Sequence, residues 1–143
     1  MQLNADEIQE LIPNRYPIYF IDQVEDIQTD KSIRAIKNVT VNEWFVKGYM
    51  PGQYVMPSTL IIETLAQAAS IFILKSPMFR NKTAYLGGIT QAKFKRRVYA
   101  GDRLVLDISL KKQRQNIGLV SCLATVNGET AVETELMFIV EMK

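Results

Sequence analysis

Glu63 is the single charge in the stretch Leu60-Ile61-Ile62-Glu63-Thr64-Leu65-Ala66-Gln67-Ala68-Ala69-Ser70-Ile71-Phe72-Ile73-Leu74. A carboxylate among such neighbours is costly unless it is hydrogen-bonded or borders a cavity. Two readings follow. It complements the dipole at a helix start, worth about 0.3–1 kcal/mol, or it is an acid–base group aimed into a binding site. Gln67 lies one turn further on the same face, within reach of Glu63 or of a neighbouring loop. Upstream, Tyr49 sits in a Gly/Pro-rich segment that ends at Ser58. The chain has no histidine, so no side chain titrates near neutrality by default. With an ordinary pKa of about 10, a tyrosine donates a proton or a hydrogen bond and is a poor base. Ser58 suits a helix N-cap or an additional donor, and as a nucleophile it would lack a histidine to activate it.

Cys122, the only cysteine, falls in a strand-like run and reads as an inert buried thiol. One cysteine excludes an intramolecular disulfide and fits a reducing cytosol. Together with the missing histidines it disfavours a metal site, and no cofactor is implied. The net charge of +2 argues for no nucleic-acid partner. Lys93, Lys95, Arg96 and Arg97 form the one basic cluster, either a solvated face or a docking patch for an acidic partner. The acidic start Met1-Gln2-Leu3-Asn4-Ala5-Asp6-Glu7 carries no signal-peptide pattern. The longest apolar run is shorter than the about 20 residues that span a bilayer, so a cytoplasmic protein is expected.

These residues need a scaffold. Asn4 can cap a short helix over residues 6–11 that Pro13 stops. Residues 18–27 and 32–41 read as strands around Gln28-Thr29-Asp30. The loop of residues 48–57 precedes the long helix, which Ser58 or Thr59 can cap and which runs to about Leu74. That helix is apolar on nearly every face and must be buried. Leu104, Leu106, Ile108 and Leu110 alternate with Val105, Asp107, Ser109 and Lys111, as in a half-buried strand. Asn127-Gly128 is a two-residue hairpin signal between residues 119–126 and 129–140. The expectation is one α+β domain over residues 1–143, an antiparallel sheet wrapped around one long central helix.

The segment Gly48-Tyr49-Met50-Pro51-Gly52-Gln53-Tyr54-Val55-Met56-Pro57-Ser58-Thr59-Leu60-Ile61-Ile62-Glu63-Thr64-Leu65-Ala66-Gln67 resembles, without gaps, the pattern G-H-F-P-G-x-P-x-M-P-G-V-L-x-x-E-x-L-A-Q. That pattern belongs to the β-hydroxyacyl-acyl-carrier-protein dehydratases, enzymes of the hotdog fold. Leu11-Ile12-Pro13-Asn14-Arg15-Tyr16-Pro17, Lys37-Asn38-Val39-Thr40-Val41-Asn42-Glu43-Trp44-Phe45 and Lys93-Phe94-Lys95-Arg96-Arg97-Val98-Tyr99-Ala100-Gly101-Asp102 resemble further motifs of the same family, in the same order. The chain departs from the pattern at Tyr49 and Asn14, each in place of a histidine, at Ser58 in place of glycine and at Ala100 in place of proline.

The resemblance implies a homodimer at least, with a trimer of dimers as a larger form. It implies that Glu63 and the residue at position 49 face one acyl tunnel across the dimer. Met50, Val55, Met56, Pro57, Ser58, Gln67, Phe94 and Tyr99 would line or support that tunnel. The basic cluster would dock an acidic acyl carrier protein, coenzyme A being the other possible carrier. Three functions stay open: a dehydratase working through Glu63 with Tyr49 as proton donor, a non-catalytic acyl-thioester binder, and an acyl-thioesterase using Glu63.

Overall fold

The computed structural model describes residues 2–141. Helix α1 spans Ala5–Leu11 and the long helix α2 spans Ser58–Lys75. Six strands follow in chain order: β1 (Gln23–Gln28), β2 (Ser32–Asn38), β3 (Thr83–Phe94), β4 (Arg103–Arg114), β5 (Ile117–Val126) and β6 (Glu129–Glu141). They form one sheet in the order β1-β2-β4-β5-β6-β3, and every neighbouring pair is antiparallel. The sheet curls around α2, the hotdog arrangement the sequence led us to expect.

Period-two alternation fixes which face of each strand meets the helix. Leu104, Leu106 and Ile108 of β4, Val120, Cys122 and Ala124 of β5, and Leu136, Phe138 and Val140 of β6 are all buried. On α2, Ile61, Leu65, Ala68, Ala69, Ile71 and Phe72 fill the same core. By length and composition α2 could cross a membrane, yet 67% of it is buried inside the fold. Its apolar surface is therefore used by the sheet.

Asn4 caps α1 as expected, in a reciprocal box: Asn4 Oδ1 accepts from Glu7 N–H at 2.9 Å and Glu7 Oε1 accepts from Asn4 N–H at 3.0 Å. At the β5–β6 hairpin, Asn127 and Gly128 adopt φ of 50° and 80°, which the favoured two-residue hairpin turn requires.

Other boundaries differ from expectation. The first strand begins at Gln23 and not at residue 18, because the backbone of Ile18 and Phe20 bonds to a side chain of α2. The second ends at Asn38, whose N–H donates to Asp22 Oδ2 at 2.6 Å. Helix α2 is capped by neither Ser58 nor Thr59. Its N-cap is Pro57, without a side-chain bond. For β3 the sequence offered only a strand-like character shared with everything after the long helix, and no bounds. As the edge next to β6, it is exposed along most of its length and shows no alternation of burial. At Gly87 of β3 a Cβ would lie 3.0 Å from Ile139 Cδ1 and from Met137 Cε, so the β6 side chains occupy the space a larger residue would need.

Candidate active site

Residues 53–56 are held against the turn after β3 by backbone bonds. Met56 N–H donates to Val98 C=O and Ala100 N–H donates to Tyr54 C=O, both at 2.8 Å. Asp102 closes that turn, its Oδ2 accepting from Tyr99 N–H at 2.8 Å. The segment that carries Tyr49 is thereby set over the start of α2. A cleft of about 220 Å³ opens there, lined by Tyr49, Met50, Val55, Met56, Ser58, Ile61, Phe94, Lys95, Arg96, Arg97 and Val98. Tyr49 is 47% exposed. Leu60 and Ile61 N–H both turn back to Pro57 C=O. The N–H groups of Ser58 and Thr59 have no acceptor among the described residues and present the positive end of an 18-residue helix. A thioester carbonyl placed at Ser58 would meet donors fixed in advance.

Glu63 and Gln67 do not line that cleft. Gln67 is 1% exposed, and its amide is fully engaged. Its Oε1 accepts from Phe20 N–H at 2.9 Å, while Nε2 donates to Ile18 C=O at 3.1 Å and to Glu63 Oε2 at 3.0 Å. Because Phe20 offers a donor and Ile18 an acceptor, only one orientation of the amide satisfies both. Glu63 Oε2 is therefore held, and Oε1 has no partner among the described residues.

The strand-like segment behind Gln67 is itself braced. Lys37 is buried, ion-paired to Glu43, with Nζ 5.8 Å and 5.9 Å from the ring centroids of Phe20 and Phe45. Those two rings meet edge to face at 5.7 Å. Sequence reasoning quoted Lys37 and Glu43 but gave them no task. The available signal was a lysine inside the apolar run of β2 with a glutamate six residues on.

Of the expected basic patch, three residues are already neutralised. Lys93 and Lys95 share Glu133, and Arg96 meets Asp102 and Glu129. Arg97 forms no ion pair among the described residues. Its Nη1 donates to Gln53 Oε1 at 2.7 Å. Tyr99 lies outside the cleft, in an adjoining open depression with Tyr54 and Arg97. The Cys122 thiol is buried at the sheet centre, and its pKa is pushed up to about 12 by burial, with Glu135 adding to the effect. No group of acidic, cysteine or histidine residues that could hold a metal ion occurs among the described residues.

The model of the FabA-like domain matches residues 12–135. The chain belongs to the FabA-like family. Among relatives of this family, the 3-hydroxyacyl-[acyl-carrier-protein] dehydratase FabZ of Lactiplantibacillus plantarum is 56% identical over 138 residues, covering 96% of this chain and 94% of the relative. The FabZ of Levilactobacillus brevis is 54% identical, with 96% and 93% covered. Such dehydratases are hydro-lyases. The FabA-like fold is met again in the dehydratase heterocomplex ApeI:P of Xenorhabdus doucetiae, which superposes with a TM-score of 0.81 at 17% identity, covering 95% of this chain and 91% of the other.

Proposed function

We propose that the protein is a FabZ-type dehydratase removing water from (3R)-hydroxyacyl thioesters in cytoplasmic fatty-acid synthesis, with acyl carrier protein or coenzyme A as the carrier. The observation that carries this reading is more than 50% identity to FabZ proteins along nearly their whole length, and it is supported by Glu63, which stands at the acidic position of the motif quoted above and is held by Gln67. Glu63 takes the proton from C2 at its unpartnered Oε1. A C2–C3 double bond forms as the C3–O bond breaks, and the hydroxyl leaves as water with the proton of Tyr49. The proton on Glu63 then returns to the tyrosinate. Donors at Ser58 and Thr59 stabilise the charge that develops on the thioester oxygen. Met50, Val55, Met56, Pro57 and Phe94 border the acyl chain. A phenol replaces a group titrating near pH 7, so turnover falls by about 10²–10⁴-fold relative to a histidine enzyme.

Tyr49 and Glu63 of one protomer do not share a cleft, so the reaction needs a second copy. Edge strand β3 supports that assembly: Tyr85, Leu86, Ile89 and Phe94 stand 54%, 40%, 48% and 51% exposed on it. A long apolar edge is a ready template for pairing with another chain. Two β3 strands joined edge to edge would unite the sheets of a homodimer, and a trimer of dimers is the larger form.

The test follows crotonyl and β-hydroxybutyryl thioesters by enoyl absorbance together with free-thiol release. Water addition or removal without thiol supports the dehydratase. Thiol release would instead make the protein a thioesterase using Glu63, and silence in both channels a binder. Tyr49→His should raise dehydratase turnover, and the gain should vanish in the Tyr49→His, Glu63→Gln double variant.

A further inference from the structure

We propose that Trp44 is a positioning residue for Glu63: its indole N–H fixes residues 17–20, and those residues fix the carboxylate through Gln67. The inference rests on Glu63 being the acid–base group of the proposed function, and it names what sets that group's place. The path is a chain of hydrogen bonds. Trp44 Nε1–H donates to Pro17 C=O at 3.0 Å. One residue on, Ile18 C=O accepts from Gln67 Nε2, and Phe20 N–H donates to Gln67 Oε1. The same Nε2 donates to Glu63 Oε2 at 3.0 Å.

Residues 17–20 belong to no helix or strand, so no ladder holds them. Pro17 has no N–H to offer, and Ile18 N–H turns back to Arg15 C=O just upstream. Among the described residues, the backbone of 17–20 is otherwise hydrogen-bonded only to Gln67 on one side and to Trp44 on the other. A shift of this segment must therefore turn the Gln67 amide, and Glu63 Oε2 moves with it.

The mount of the indole is firm. Glu43 is ion-paired to the buried Lys37, and Phe45 is buried against Phe20. The Trp44 ring stands edge-on to Phe45, with centroids 5.5 Å apart. Residues 43–45 thus grip the segment at both ends, Pro17 through the indole and Phe20 through the Phe45 ring. Exposure separates positioning from bracing. Trp44 is 47% exposed, so water can replace Pro17 as its partner at little cost to folding. Proton transfer has no such substitute, since misplacing a reacting group lowers the rate steeply.

Trp44 is the only tryptophan in the chain, so the experiment exchanges it by growth on tryptophan analogues. 3-Benzothienylalanine keeps the bicyclic shape and puts sulfur in place of the N–H, whereas 7-azatryptophan keeps the N–H. Three quantities are read on each protein: hydrogen exchange at Phe20 N–H, the NMR resonance of the Glu63 carboxyl carbon (assigned by its loss in Glu63→Gln), and hydroxyacyl turnover. In the sulfur protein, Phe20 exchange should quicken by about threefold to tenfold, the scale of one net hydrogen bond. The carboxyl resonance should move, and kcat should fall by about the same factor with KM kept. 7-Azatryptophan should restore all three. A carboxyl resonance that stays in place in the sulfur protein, merely weaker as the folded fraction drops, overturns the proposal and leaves Trp44 a plain brace. So does an unchanged kcat, since the carboxylate's place would then not matter. Failure of the dehydratase reading shows separately: the resonance would move with the analogue in a protein inert toward every thioester, and Trp44 would still position Glu63.

Discussion

Replacing Gln67 by leucine tests whether one buried amide joins Glu63 to the fold. The side chains are close in volume, so no large cavity opens, and the cost is that of lost hydrogen bonds. Two backbone groups lose their partner, the N–H of Phe20 and the C=O of Ile18. Leaving a buried polar group unsatisfied costs about 1–3 kcal/mol, so the variant should lose about 2–6 kcal/mol. That is a large share of the roughly 5–15 kcal/mol holding a typical domain together. Urea unfolding followed by circular dichroism reads it as a lower midpoint with an unchanged slope. Gln67→Glu sharpens the test. It keeps an acceptor for Phe20 but loses both donated bonds and sets a second carboxylate one turn from Glu63. Hydroxyacyl turnover should fall in that variant more than stability does. A loss of under about 1 kcal/mol in Gln67→Leu would refute the reasoning, since it would mean that water or a relaxed backbone satisfies both groups.

Three other outcomes follow from the structure. Lys37→Met removes one partner of a nearly buried ion pair and should destabilise by about 3–5 kcal/mol, whereas the double variant Lys37→Met, Glu43→Leu should recover most of the loss; thermal unfolding of the two decides it. The neutral Cys122 thiol is favoured by the folded state, its pKa being about 12 there against 9.0 ordinarily. Its stabilising contribution is complete below pH 9.0 and is lost as the pH rises from there toward 12. Cys122→Ala should therefore show a shallower fall in unfolding midpoint over that alkaline range, and identical slopes would contradict it. Ile89→Lys on the exposed edge of β3 should shift the protein to a smaller species in analytical ultracentrifugation, and an unchanged mass would remove β3 as the dimer interface.

The buried helix, the alternation in β4 and the Asn127-Gly128 hairpin were legible because each rests on a local pattern: all-round apolarity, period two, a turn pair. Strand β3 was legible only as part of a strand-like remainder, without bounds, because an edge exposed on both faces carries no burial period to find. The start of β1 was misplaced for another reason. Residues 18–21 look strand-like, but their polar groups go to Gln67, 47 and 49 residues away in sequence. A tertiary bond of that length leaves no trace in a window. The basic run was visible as composition, while its division into the paired Lys93, Lys95 and Arg96 and an Arg97 without an ion pair among the described residues depends on Glu133, Asp102 and Glu129 arriving from β6 and the neighbouring turn. Capping was misjudged at Ser58 because the extended Pro57 ends the loop one residue earlier.

The two halves of the proposed acid–base pair are embedded very differently, and that sets how freely each can change over generations. Tyr49 stands on a loop, half exposed, and its side chain makes no hydrogen bond among the described residues. On the proposed mechanism its replacement should alter chemistry at almost no cost to folding. Glu63 is tied through Gln67 to the backbone of residues 18–20, so a change there propagates into the core. Drift in such a scaffold is one-sided. If the two residues form that pair, a new reaction would be reached at lower cost by changing the loop position than by changing the helix carboxylate.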